Sequence, residues 1–296
     1  MSIIEVLRNQ PIMLTIVCGL IGLVVGSFLN VVIHRLPKML DVEWDNQAAD
    51  LLEHKNMAEV AKRLRPRGTV RYNLMTPAST CPHCGHKIKA YENIPIISYL
   101  LLRGRCASCK APISIRYPIV EAISGLMAAY IGWKFGFTLS MAGALVFCLA
   151  LLALTVIDID TQLLPDDITL PLMWTGLLLN LNNLFAPLSS AVLGAAAGYL
   201  SLWSVYWLFK ITTGKEGMGY GDFKLLAAIG AWLGWKMLPV VILLSSLVGA
   251  IVGIGLIMLT RHGRNTPIPF GPYLAAAGLI ALFWGESINR TYLQVF

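Results

Sequence analysis

Four cysteines carry the most specific chemistry in this 296-residue chain. They read Cys81-Pro-His-Cys84 and Cys106-Ala-Ser-Cys109, with 21 residues between the pairs. Two C-x-x-C turns facing each other place four thiolates at the corners of a tetrahedron, which is what a closed structural Zn²⁺ site needs. Gly85 and Lys110, one after each pair, suit knuckle turns. Zinc or a similarly soft ion is expected on Cys81, Cys84, Cys106 and Cys109, with His83 and His86 as spare ligands. No open coordination position is evident, so the metal is assigned to folding rather than to catalysis. The rival reading is a dithiol redox pair; two pairs in one reducing cytoplasmic loop favour metal. Cys18 and Cys148 lie in apolar segments and read as small hydrophobes.

Carboxylates are the second candidate chemistry. Acidic residues are scarce outside the segment 34–117, so each one there needs a reason. Asp158-Ile-Asp160-Thr-Gln-Leu-Leu-Pro165-Asp166-Asp167 forms one cluster. Asp166 or Asp167, following Pro165, reads as a helix N-cap. Asp158 falls in the last turn of an apolar segment, where a negative charge opposes the helix dipole, so capping does not explain it. Asp160 lies further out and reads equally well as solvated. The second cluster is Gly217-Met-Gly219-Tyr-Gly221-Asp222-Phe-Lys224. Its glycine spacing is neither a Walker A nor a dinucleotide fingerprint. Two readings stay open: Asp222 as an N-cap after a flexible turn, or glycines that let the backbone pack closely and bring Asp222 beside another group. Two carboxylates sharing a site divide roles, one activating water and the other acting as acid. That is aspartic-peptidase chemistry, with Asp158 and Asp222 as the candidate pair. Their opposite helix ends point to Asp222 as base and Asp158 as acid.

Helices in lipid are the elements that must position these groups. The chain is 56% hydrophobic and 13% charged, with a mean hydropathy of +0.68, whereas a soluble domain carries about 25% charged residues. The first apolar block, 12–33, is uncharged and 22 residues long, enough for a hydrocarbon core of ~30 Å. It reads as a retained span, because it exceeds a signal-peptide core and no A-x-A-like site follows. Further blocks lie near 118–134, 139–157, 167–185, 190–210, 223–237, 238–259 and 270–286. The expected fold is an all-α polytopic membrane protein of seven or eight, about eight, transmembrane helices with a cytoplasmic zinc-knuckle loop. Its parts are an N-terminal end and first span (1–33), a basic loop (34–117) and a helical catalytic core (118–296).

The loop 34–117 holds 14 of the 23 Lys and Arg and 7 of the 16 Asp and Glu, a net +7. Surplus Lys and Arg mark cytoplasmic loops, which puts this loop inside and the N-terminus outside. Eight spans then leave Lys210, Lys215, Lys224, Arg261 and Arg264 inside as well, and only Arg8, Lys134, Lys236 and Arg290 outside. The charge reads as a topological anchor with attraction to anionic lipid. Nucleic-acid binding is not expected, because no recognition motif or stacking platform is present. No H-E-x-x-H occurs, so a zinc metalloprotease is not supported. His34 and His262 flank spans and read as interfacial.

Taken together, the motifs resemble one family. They are Gly26-Ser-Phe-Leu-Asn30-Val-Val-Ile-His34-Arg-Leu-Pro37, the paired C-x-x-C turns, Ile157-Asp158-Ile-Asp160 through Leu164-Pro165-Asp166, Gly219-Tyr-Gly221-Asp222, and Pro267-Ile-Pro-Phe-Gly-Pro272. Over nearly its full length the chain resembles the type IV prepilin peptidases, bifunctional leader peptidases and N-methyltransferases of the GxGD type. The resemblance implies that Asp158 and Asp222 are catalytic. It implies cleavage of a short basic leader from type IV prepilins and type II secretion pseudopilins, after Gly and before a residue that is usually Phe. It further implies methylation of the new N-terminus with S-adenosylmethionine, and an active site on the cytoplasmic side of the bacterial inner membrane. The residues carry no independent signature of the methyl donor, since no glycine-rich α/β turn is present. The loop 34–117 is the candidate place; Glu43 and Asp45 could meet ribose hydroxyls but read better as a solvated patch. The rival functions are a membrane transporter or channel, whose acids favour the bilayer midplane, and a membrane dithiol oxidoreductase.

Overall fold

Apolar runs without strand alternation fold as helices here. The structure is a computed structural model that describes residues 3–65, 72–260 and 268–295. Arg261, His262, Arg264 and Pro267 lie outside the described residues. The helices are α1 (Ile3–Asn9), α2 (Pro11–His54), α3 (Ala58–Leu64), α4 (Ile97–Leu101), α5 (Arg116–Phe135), α6 (Leu139–Thr161), α7 (Asp166–Leu179), α8 (Leu188–Thr213), α9 (Tyr220–Leu233), α10 (Leu238–Thr260) and α11 (Gly271–Val295). Among the described residues, extended pairing is limited to two isolated bridges, Thr80 with Lys87 and Arg105 with Pro112.

Among the described residues, four segments are long and apolar enough to cross a membrane: Pro11–His54, Leu139–Thr161, Leu188–Thr213 and Trp235–Gly255. Less than half of each apolar window is buried by protein, so the rest needs a non-aqueous surrounding. Each of the eight expected blocks is helical, but α7 and α9 have only 14 residues, about 21 Å at 1.5 Å per residue.

The chain divides into two compact units, Met1–Gly136 and Phe137–Phe296. In the first, α2 packs along α5 through small residues. A Cβ on Gly26 would come within 2.8 Å of the Ser124 Cβ and 2.9 Å of the Glu121 Cα, so only glycine permits this approach. One turn on, the Asn30 amide donates to the Tyr117 carbonyl at 3.1 Å. Arg35 is buried and its guanidinium donates to the Asn73 and Pro77 carbonyls at 2.9 and 2.7 Å. The Gly26-to-Pro37 motif is thus a packing motif that seats α5 and the 72–77 segment on α2. His34 faces outward, within 3.0 Å of the Lys38 ammonium, and Glu43 and Asp45 are exposed.

In the second unit the core surrounds α9, whose run Phe223 and Leu225–Trp232 is buried. Trp232 is fully enclosed, and its indole N–H donates to the Leu172 carbonyl at 2.7 Å. The buried Asn180 side chain donates to the Ala231 and Trp232 carbonyls and accepts the Phe185 and Ala186 amides. It thereby satisfies the last carbonyls of a short helix that has no following turn to do so. α9 ends at Gly234, which has φ +79°.

Candidate active site

The two candidate aspartates are buried in the second unit, Asp158 at 4% exposure and Asp222 at 7%. Asp158 stands in the last turn of α6. That helix stops because Gln162 turns left-handed at φ 54°, its amide bonding the Asp158 carbonyl at 2.9 Å. Asp222 sits in the first turn of α9, behind Gly219 at the N-cap position. It is therefore not the cap, and the capping explanation of this residue falls away. Leu164 lies against Gly221, the neighbour of Asp222, and against Gly271, whose amide binds Asp158, so the two carboxylates belong to one region of the unit.

A third helix end meets them. The Gly271 amide at the start of α11 donates to Asp158 Oδ2 at 3.0 Å. A Cβ on Gly271 would lie 2.6 Å from that oxygen, so the position takes no larger residue without displacing the carboxylate. Leu164, buried in the connection from α6 to α7, touches both sides of the site. A Cβ on Gly221 would come 2.8 Å from the Leu164 Cβ, and one on Gly271 would come 3.2 Å from the Leu164 Cδ1. The division of roles by helix dipole loses its basis, because Asp158 faces the N-terminus of α11 as well as the C-terminus of its own helix.

The remaining acids of the cluster separate. Asp160 is exposed. Pro165, not an aspartate, occupies the N-cap of α7, and no side chain caps that end. Asp166 instead binds the Lys224 ammonium through both oxygens at 2.7 Å. Neither this pair, nor the Gly271 amide, nor Leu164 had a role readable from the chain. Pro-Phe-Gly-Pro at 269–272 was the available signal, a helix start built around a glycine. A buried acid of the first unit also escaped notice: Glu121 accepts the Ile96 amide at 2.8 Å.

The four candidate metal ligands also converge, in the first unit. Their sulfurs all lie within 4.8 Å of one another, with Cys81 to Cys109 at 3.8 Å and Cys84 to Cys106 at 4.0 Å. A tetrahedron with metal–sulfur bonds of about 2.3 Å has edges of about 3.8 Å, so the donor set fits one tetrahedral ion. Each pair sits in the same turn. The Gly85 amide bonds the Cys81 carbonyl at 2.9 Å, and the Lys110 amide bonds the Cys106 carbonyl at 3.1 Å. Gly85 and Lys110 have φ of 70° and 61°, the left-handed conformation such a turn requires. Neither histidine joins the cluster. His86 instead lies 3.0 Å from Glu92, whose carboxyl the Lys89 amide and the His86 ring hold below the usual carboxylate range.

Comparison with known proteins finds relatives along the whole chain. Residues 20–135 match the bacterial peptidase A24 N-terminal domain, and residues 145–254 match the type IV leader peptidase family. The chain is 53% identical to the prepilin leader peptidase/N-methyltransferase of Stutzerimonas stutzeri over 294 residues, 99% of each chain. It is 53% identical to that of Pseudomonas aeruginosa over 294 residues, 99% of this chain and 98% of the other. It is 54% identical to that of Aeromonas hydrophila over 294 residues, 99% of both. No solved structure matches. With more than half of the residues shared along nearly the whole length, and one family domain matched in each compact unit, the chain belongs to the type IV leader peptidase family.

Proposed function

We propose that this chain is a bifunctional membrane enzyme that removes the basic leader of type IV prepilins and type II secretion pseudopilins, then N-methylates the exposed residue. The observation that carries the peptidase half is the burial of both Asp158 and Asp222 around Leu164, at the end of α6 and the start of α9, with the start of α11 on Asp158. Two carboxylates in one site hold a proton between them, so one draws a proton from water while the other is poised to give one up. The Gly271 amide engages Asp158 Oδ2 and leaves Oδ1 for the water. Water oxygen adds to the scissile carbonyl, the C–N bond breaks, and the departing amine takes the second carboxyl's proton. The pair titrates jointly, so acid and base are properties of the dyad rather than of either residue.

The methyltransferase half rests on the names of the relatives, which are prepilin leader peptidase/N-methyltransferases. S-adenosylmethionine supplies the methyl group when bound; no residue of this chain is assigned to hold it. The metal is read as zinc in a structural role on Cys81, Cys84, Cys106 and Cys109, supported by four sulfurs that all lie within 4.8 Å of one another. We place the enzyme in the bacterial inner membrane with eight spans, α2, α5, α6, α7, α8, α9, α10 and α11. The loop 34–117 and the aspartates then face the cytoplasm, as the distribution of basic residues supports. In that frame residues 1–33 bring the N-terminus through the bilayer, 34–117 carry the metal-bearing segment with α2 helical as far as His54, and 118–296 hold the remaining spans, the unit from Phe137 onward carrying the aspartates.

The test is cleavage of a purified prepilin by the full-length enzyme. Asp158→Asn and Asp222→Asn are expected to abolish cleavage while the melting midpoint holds, and Asp160→Asn is expected to cleave normally. Normal peptidase activity in either of the first two variants would overturn the assignment.

A further inference from the structure

We infer that the Asp166–Lys224 ion pair is a positioning device that sets the orientation of the catalytic aspartates. The inference rests on the proposed peptidase reading of Asp158 and Asp222.

The connection from α6 to α7 leaves Asp158 and reaches Asp166 within eight residues. It is fastened to the first turn of α9 at two places. Leu164 packs against Gly221, one residue before Asp222. Asp166 grips Lys224, two residues after it, with both oxygens at 2.7 Å. Two residues along an α-helix turn through about 200°, so Lys224 and Asp222 leave α9 on nearly opposite sides. Holding Lys224 from one side therefore fixes the rotation of the first turn and aims Asp222 on the other. The same contact tethers the segment that begins at Asp158, so one pair couples both halves of the dyad.

Stability is a poor explanation for this pair. The side chains are 29% and 51% exposed, and exposed ion pairs contribute about 0–1 kcal/mol. Two charge-assisted contacts of 2.7 Å instead tie the segment bearing Asp166 to the first turn of α9. Lys224 also stands only two residues beyond Asp222 on the same helix, so its placement is coupled to Asp222 by the backbone itself.

The experiment measures kcat and KM for prepilin cleavage, with the melting midpoint, on purified full-length variants. Lys224→Met and Asp166→Asn are each expected to lower kcat by about 10- to 100-fold, since a displacement near 1 Å costs about that much. KM and the melting midpoint are expected to stay near the parent values. The double variant Asp166→Asn with Lys224→Met is expected to be no worse than either single one, because the two act as a unit. Lys224→Arg, and the exchange Asp166→Lys with Lys224→Asp, are expected to recover most of the lost kcat. Parent-like kcat in the single variants, additive losses in the double one, a rise in KM alone, or losses that only follow the melting midpoint would each overturn the proposal. If Asp158→Asn also cleaves normally, the peptidase reading of the site has failed; if only the pair is silent, the failure belongs to the pair.

Discussion

At the residue scale, the site is defined as much by what is missing from side chains as by the acids themselves. Gly271 presents its amide to Asp158 Oδ2 at 3.0 Å, and Gly221 lies beneath Leu164. Both positions exclude a Cβ, for the same reason: backbone must reach a carboxylate or a packed leucine at contact distance. Gly271→Ala places a methyl 2.6 Å from the carboxylate oxygen. We expect it to lower kcat for prepilin cleavage by about 100-fold with the enzyme still folded, as read by steady-state kinetics beside a thermal melt. A variant with parent kcat would show that the amide does not orient Asp158. The aspartates were legible from the chain because ionisable groups at the ends of apolar segments are costly and need a function. Leu164, the Gly271 amide and the Lys224 contact were not, because each acts across a sequence separation that only packing closes.

At the element scale, the two C-x-x-C turns are near copies. Each is bracketed by one extended bridge, Thr80 with Lys87 and Arg105 with Pro112, and each closes on a left-handed residue. A metal ion is the natural centre of four sulfurs so placed, and its thiolate ligands must lose their protons to bind it. Removing the metal with a chelator is expected to open the 80–112 segment to proteolysis, and Cys81→Ser to do the same without chelator. The aspartate pair, held by contacts within the second unit, is expected to keep cleaving prepilin. Protease resistance unchanged by chelation and by Cys81→Ser would count against a structural metal. The spacing of the cysteines predicted this cluster directly, because C-x-x-C fixes two sulfurs per turn locally. The partners of Arg35 and Asn30 were hidden, because carbonyl acceptors leave no trace in residue type.

At the scale of the whole molecule, eight helices cover the eight apolar blocks, and among the described residues four segments are long and apolar enough to cross a membrane. Helices α7 and α9 are short and owe their burial to neighbours: Trp232 against Leu172, and Asn180 on the end of α9. The eight-span topology puts Lys134 and Lys236 outside and Lys215 inside. An impermeant thiol reagent on intact cells is expected to label Lys134→Cys and Lys236→Cys but not Lys215→Cys. Labelling of Lys215→Cys, or silence of Lys236→Cys, would mean that α9 does not cross and that the span count falls.

The amino-acid sequence by itself determined the chemistry available: four thiols spaced for one ion, two aspartates at the ends of apolar segments, and a charge excess gathered in one loop. These are local properties, set by residue type, spacing and hydrophobic period. Only the tertiary structure decided how they are used. It brought the N-terminus of α11 to Asp158, which removed the basis for ranking the aspartates by their own helix ends. It turned Asp166 from an expected cap into the partner of Lys224, 58 residues away. The physical reason is common to both. A hydrogen bond or ion pair between distant segments depends on which helices pack together, and close packing is a property of the assembled bundle rather than of any one stretch of chain.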